Sequence, residues 1–253
     1  MSELAIYSGT PVRATKLGYG HQYIDETDIQ AVVDVLKSDF LTCGPKVTEL
    51  EQKLCALTGA AYCTAVSNGT AALHTACLAA DIGPGDEVIT TPITFAATVN
   101  AILYCGGTPV FADIDPQTYE IDPQSVEKHI TEQTKAVIAV DFTGAPCDYD
   151  ALRMICQKHH LLLIEDAAHS IGTRYRGTPV GSIADLTTFS FHPVKTVTAG
   201  EGGAVMSHDP ELARRVLMYA RHGITRDPNL LQEQGNSNWY YEQQMLGYNY
   251  RMT

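Results

Sequence analysis

Near residue 60 the rhythm of apolar and polar positions changes. Before it, IDETDIQAVVDVLKSD (24–39) carries apolar residues at helical spacing behind an acidic start. FLTCGPKVTELEQKLCALTG then turns around Gly44-Pro45 into a second amphipathic helix ending at Gly59. After it, short apolar runs alternate with helical stretches. The runs at 62–67, 87–91, 109–113, 136–140 and 161–165 predict strands, separated by helices at about 70–80, 95–105, 123–130 and 148–159. Two later runs, 186–191 and 203–207, complete the sheet ahead of a helix from about 209 to 221.

This alternation predicts an α/β fold with a mostly parallel central sheet and helices on both faces. Leu161-Leu162-Leu163-Ile164 offers no polar position, as suits a strand covered on both sides. Ligands of such sheets gather beyond the carboxyl ends of the strands. Three unusual clusters fall there: SNGTAAL after the first strand, EDAAHS after the fifth and FHPVK after the sixth.

Each cluster has an ordinary and a chemical reading. Ser67-Asn68-Gly69-Thr70-Ala71-Ala72 opens a helix whose first N–H groups are free to bind an anion, or whose start is simply capped by Asn68 or Thr70. Asp166 closes the most apolar strand, where an unpaired carboxylate is costly. It pairs with an arginine, or faces a protonated ring nitrogen as an Asp does in pyridoxal phosphate (PLP) enzymes. His169 bonds a cofactor oxygen or caps the following turn. Lys195 follows His192-Pro193-Val194, which turns it back over the sheet end. A partly desolvated lysine there loses its proton readily and acts as an amine nucleophile towards an aldehyde. Ser190 adds a hydroxyl at the same edge, and Gly200, Gly202 and Gly203 leave room for close backbone approach. An anion-binding helix start, a buried Asp and a lysine at neighbouring strand ends together suit the phosphate, ring nitrogen and aldehyde of PLP.

Composition narrows the partners. The chain has 253 residues and a net charge of -12, without the clustered basic residues that a nucleic-acid surface needs. No stretch approaches the roughly 18–20 continuous apolar residues of a membrane span, and MSELAIYSGTPVRATKLGYG has no apolar signal-peptide core. Seven cysteines, none spaced as CxxC, predict reduced thiols in the cytoplasm rather than disulfides or a zinc site. Competing motifs are absent or incomplete. Gly18-Tyr19-Gly20 lacks the third glycine of a dinucleotide fingerprint, and there is neither a P-loop nor a GxSxG elbow. His159-His160 sits at a helix end, where it compensates the dipole; no metal site is expected.

From about residue 17 onwards the chain resembles the PLP-dependent sugar-nucleotide aminotransferases of the DegT/DnrJ/StrS family. The resemblance is carried by LTCGPKV, SNGTAALH, GDEVITTPITFAATVNAILYCG, TPVFADID, VDFTGAPCD, IEDAAHSIG, SFHPVKTVTAGEGGAV, RHGITRD and LGYNYRMT. VDFTG, FSFHPVK…EGGAV and His169 in place of Gln are most similar to the family's pseudaminic-acid transaminases. The resemblance implies the large domain of a fold-type-I PLP-dependent transferase. It implies an N-terminal helical segment over 1–60, a PLP-binding domain over 61–253, and a small C-terminal domain missing beyond LGYNYRMT.

It also implies residue roles. Lys195 would link covalently to PLP and shuttle a proton, and Asp166 would hold the ring nitrogen protonated. Phe95 would stack on the ring, and His169 would support its hydroxyl side. Thr70, Ala71 and Ser190 would hold the phosphate, reached also by Asn249 of a neighbouring subunit in a homodimer. Tyr19, Asp39, Phe40, Leu41, Thr42 and Gly69 would contact the sugar nucleotide; Arg221 and His222 face the nucleotide or a dimer contact. The implied substrates are glutamate and a UDP-linked 4-keto sugar. A GDP-sugar enzyme of perosamine type and an inactive PLP-binding remnant stay open as alternatives.

Overall fold

Asp25 accepts from the Thr27 and Asp28 N–H groups while Asp28 reaches back to the Asp25 N–H, so a capping box starts α1 (Glu26–Leu36). Gly44-Pro45 starts α2 (Pro45–Thr58), which Gly59 ends in the left-handed region at φ 81°. This is seen in a computed structural model describing residues 3–18, 20–233 and 239–253. The alternating part follows as β1 (Tyr62–Val66), α3 (Gly69–Ala79), β2 (Glu87–Thr90), α4 (Ala96–Tyr104), β3 (Thr108–Phe111), α5 (Pro123–Lys128), β4 (Thr134–Val140), α6 (Tyr149–His159) and β5 (Leu162–Asp166). A small hairpin, β6 (Arg174–Tyr175) with β7 (Thr178–Pro179), precedes β8 (Leu186–Ser190), β9 (Gly203–Ser207) and α7 (Pro210–Ala220). A last short ladder joins β10 (Ile224–Thr225) to β11 (Glu242–Gln243).

The main sheet has the order β1-β9-β8-β5-β4-β2-β3. All pairings are parallel except those of β9, which runs antiparallel between β1 and β8. The expected α/β architecture is therefore present, with one reversed strand that the apolar pattern did not distinguish. The two short ladders were not expected either, because pairings of two residues leave no periodicity. β5 runs from Leu162 to Asp166, one residue later at each end than expected, and Asp166 closes it as the sequence reading has it. α1 carries its apolar stripe unburied: Ile29, Val32 and Leu36 are all exposed.

Strand alternation divides the core. Ala136, Ile138, Ile164 and Leu186 face α3, α4 and α7, where they pack with Ala72, Ala76, Ala101, Ile102 and Val216. Val137, Ala139 and Leu163 face the opposite side, against Tyr149, Leu152 and Ile155 of α6 and Val126 of α5. On that same side Leu54 of α2 packs with Phe189, Phe191 and Met206. Helices thus cover both faces.

Beneath the carboxyl edge of the sheet three acids are buried together. Asp141, just after β4, accepts from Ser170 Oγ at 2.6 Å, Tyr149 Oη at 2.6 Å and the Cys147 N–H at 3.2 Å. Glu165 accepts from Thr187 Oγ1 at 2.6 Å. Glu120 accepts from the Phe142 N–H at 3.3 Å and from Cys147 Sγ at 3.2 Å. No cation is paired with these carboxylates among the described residues. Burial accordingly raises all three pKa values, with Glu120 pushed up to about 7.

Two outcomes follow from this packing. A Cβ at Gly203 would lie 2.6 Å from the Asn68 carbonyl oxygen and 2.8 Å from that of Phe189. Both are backbone, so Gly203→Ala should destabilise by about 1–3 kcal/mol and lower the Tm; an unchanged Tm would contradict the close packing. Glu120 binds its proton more tightly folded than unfolded, so its contribution to stability falls as pH rises from about 4.5 through about 7. Glu120→Gln should therefore gain stability relative to the parent as pH rises across that window. A Tm difference that does not change with pH would show that Glu120 is not held neutral.

Candidate active site

The register brings three strand ends to one edge. Val66 of β1 and Ser190 of β8 both pair with Gly203 of β9, and Asp166 of β5 pairs with Thr188 of β8. SNGTAAL, EDAAHS and FHPVK are therefore assembled side by side, as the strand-end reading requires.

At the first end Asn68 caps α3, its side-chain oxygen accepting the Ala71 N–H at 2.8 Å. The N–H groups of Gly69 and Thr70 have no acceptor among the described residues, and they point from a helix start. Ser190 lies directly against this turn: a Cβ on Gly69 would sit 2.7 Å from Ser190 Cβ and 2.9 Å from its Oγ. Glycine is required there by close approach. The capping and the anion-binding readings are thus compatible: Asn68 uses one N–H, and two N–H groups and a hydroxyl remain. Ala71 keeps its place at the helix start, but its N–H belongs to the cap and its side chain is buried.

The second end carries Asp166. Alternation sends Glu165 to the α6 side and Asp166 to the α4 side, where Thr98 Oγ1 donates to Asp166 Oδ2 at 2.7 Å. The Ala168 N–H donates to Oδ1 at 3.3 Å. No arginine pairs with Asp166 among the described residues. Burial raises its pKa, opposed first by the Thr98 hydroxyl and then by the Ala168 N–H and the charges of Lys195 and His169.

Lys195 brings the third end to the second. Its Nζ lies 2.8 Å from His169 Nε2. Burial lowers the lysine pKa, while the Asp166 carboxylate pulls it back up. His169 is lowered by burial and then by the Lys195 charge. Its ring thus faces the lysine; it does not cap the following turn. Thr196 Oγ1 donates to the His169 carbonyl at 3.4 Å and ties the two loops again.

Phe95 stands at the N-cap of α4 and is 76% exposed. Asn249 is exposed and bridges Arg221, in a C-terminal segment where the Ser67 N–H donates to the Tyr250 carbonyl. His222 is held in the same segment, its N–H donating to the Tyr248 carbonyl at 2.8 Å. Asp39, Phe40, Leu41 and Thr42 form an exposed loop between α1 and α2, and its hydrogen bonds are local, as between Ser38 Oγ and the Phe40 backbone. The structure brings none of these four to Lys195. Tyr19 lies outside the described residues.

Two contacts were not legible in sequence. Thr98 lies 68 positions from Asp166, and only the α4–sheet packing joins them. Gln22 Nε2 donates to the Pro193 carbonyl at 3.0 Å, linking the N-terminal segment to the loop that carries Lys195. The described residues contain no group of three or more His, Cys, Asp or Glu arranged to hold a metal ion.

Comparisons with known proteins agree with this fold. The chain is 44% identical over 236 residues to the spore coat polysaccharide biosynthesis protein SpsC of Bacillus subtilis, covering 93% of this chain and 60% of that protein. It superimposes on Helicobacter pylori PseC, an aminotransferase involved in the biosynthesis of pseudaminic acid, with a TM-score of 0.85 and 33% identity; 94% of this chain and 62% of that one are covered. The PLP form of the Streptococcus pneumoniae putative sugar aminotransferase Spr1654 gives a TM-score of 0.86 at 33% identity, over 94% of this chain and 64% of that one. The chain thus spans about 60% of the length of the curated relatives it matches. Residues 22–253 match the profile of one family throughout, and the chain belongs to the DegT/DnrJ/EryC1/StrS aminotransferase family.

Proposed function

We propose that this chain contributes the cofactor-binding part of a PLP-dependent aminotransferase that moves the amino group of glutamate to C4 of a 4-keto-6-deoxy UDP-sugar. The reading rests on the Lys195–His169 pair, 2.8 Å apart, beside buried Asp166 and the uncapped N–H groups of Gly69 and Thr70. Family membership supports the reaction class. Similarity to PseC supports the pseudaminic-acid branch.

The residues present fit PLP. A phosphate suits the start of α3, where two N–H groups without an acceptor lie beside Ser190 Oγ, which the absence of a Cβ at Gly69 lets approach. PLP supplies, when bound, an aldehyde for a lysine amine and a protonated ring that takes up an electron pair. Asp166 would hold a proton at the ring nitrogen, its charged form supported by Thr98 and the Ala168 N–H. Lys195 Nζ, with its pKa lowered by burial, loses its proton more easily than an ordinary lysine, and the free amine would accept the proton released from the substrate carbon. His169 Nε2 restrains that amine. Phe95 offers an exposed face for stacking, and Asn249 serves a neighbouring subunit's phosphate in a homodimer. Contact of Gly69 and the loop 39–42 with the sugar nucleotide rests on the family resemblance alone. Seven free cysteines favour a cytoplasmic setting. No helix among the described residues is long and apolar enough to cross a membrane.

Lys195→Ala should abolish the visible absorbance of bound PLP and lower transamination by at least about 10²–10⁴-fold. A purified parent protein that binds no PLP would sink the reading. The sugar is tested by offering UDP- and GDP-linked 4-keto sugars with glutamate. Amino-sugar product from the UDP compound is expected, and product from the GDP compound alone would overturn the assignment.

A further inference from the structure

Two short turns leave the sheet side by side. One follows β4 at Asp141, and the other follows β5 and runs from Asp166 to Ser170. Asp141 holds both ends of the second turn. Its backbone N–H donates to the Asp166 carbonyl at 3.1 Å, and its carboxylate accepts from Ser170 Oγ at 2.6 Å. His169 lies inside the span so fixed, and its Nε2 meets Lys195 Nζ at 2.8 Å.

We propose that Asp141 is a positioning residue: through Ser170 it clamps the turn that aims His169 at Lys195, and so fixes the lysine amine over Asp166. The inference rests on the proposed function only for the purpose the aim serves, because the clamp itself is made wholly of this chain's own residues.

Three observations carry it. Asp141 and Ser170 are both fully buried, so water does not compete for their hydrogen bond. The carboxylate is otherwise held from the far side, by Tyr149 Oη at 2.6 Å and the Cys147 N–H at 3.2 Å, which fixes the direction of the oxygen facing Ser170. The turn then closes on itself, since the Ser170 N–H donates to the Ala167 carbonyl and the Thr173 N–H to the Ser170 carbonyl. Removing the serine hydroxyl therefore frees the far end of the turn, while removing the tyrosine hydroxyl weakens the hold on the same carboxylate without touching the turn. This asymmetry separates positioning from general stabilisation.

The readout is the titration of His169, which faces Lys195 and Asp166 and is held below its ordinary value of 6.5 by burial and by Lys195. It is followed by NMR of ¹³C-labelled histidine on the full chain stripped of cofactor, with the resonance assigned by its loss in His169→Gln. In Ser170→Ala the midpoint should rise towards 6.5, because the ring loses both its cover and its lysine neighbour. Tyr149→Phe should lower the Tm and leave that midpoint where it is. Ser170→Cys, which keeps a weak donor in place, should fall between parent and alanine variant and serves if the alanine variant does not fold. On adding PLP, Ser170→Ala should bind several-fold to about tenfold more weakly than the parent. An unmoved His169 midpoint in folded Ser170→Ala, or an equal shift in Tyr149→Phe, overturns the clamp. A parent protein that ignores PLP but shows the histidine shift keeps the clamp and removes the proposed function.

Discussion

Consecutive residues of a strand point to opposite faces, and at the end of β5 that constraint separates two adjacent carboxyl groups. Glu165 goes to the α6 side, where Thr187 donates to one of its oxygens and the other, Oε1, is buried without a partner among the described residues. Asp166 goes to the α4 side, where Thr98 meets it. One residue of slippage would exchange them, placing Asp166 among the aromatic and aliphatic residues of α6 and leaving Glu165 at the candidate site. The parallel pairing with β4, from Ala136 opposite Leu162 to Val140 opposite Asp166, holds the register on which every later feature depends.

Electrostatically the edge is assembled with little opposing charge. The chain carries a net charge of -12, yet the groups that converge at the strand ends are a half-buried lysine, a histidine, free N–H groups and a carboxylate held by hydroxyl and amide donors. The acids just below are raised by burial towards their neutral forms, which limits the negative potential beneath the lysine. A site for an anion can thus exist inside an acidic protein. Local donors and desolvation decide it.

Much of the fold and the centre of the site was legible because both depend on local signals. Short apolar runs located the strands, and their carboxyl ends located Lys195, Asp166, Ser190 and the start of α3. What sequence did not disclose depends on contacts between distant elements. The orientation of β9 is invisible in an apolar run that reads alike in either direction. Thr98 was passed over because a threonine in a helix ordinarily bonds its own backbone. Asp166 was expected to pair with an arginine or a cofactor, and its hydroxyl partner follows only from how α4 packs. The stripe of α1 predicted a helix correctly, but Ile29, Val32 and Leu36 find nothing within the described chain to cover them.

The reversed strand has a consequence during synthesis. β1 forms its ladder only with β9, whose residues leave the ribosome about 140 positions later. At ordinary elongation rates of about 5–20 residues per second, β1 waits for at least several seconds without its partner. The start of α3 and the end of β8 are joined through that same strand, since Gly203 pairs with both Val66 and Ser190. The start of α3 and the end of β8 therefore cannot meet on a nascent chain until β9 has emerged, and this edge of the candidate site is among the last of the described parts to form.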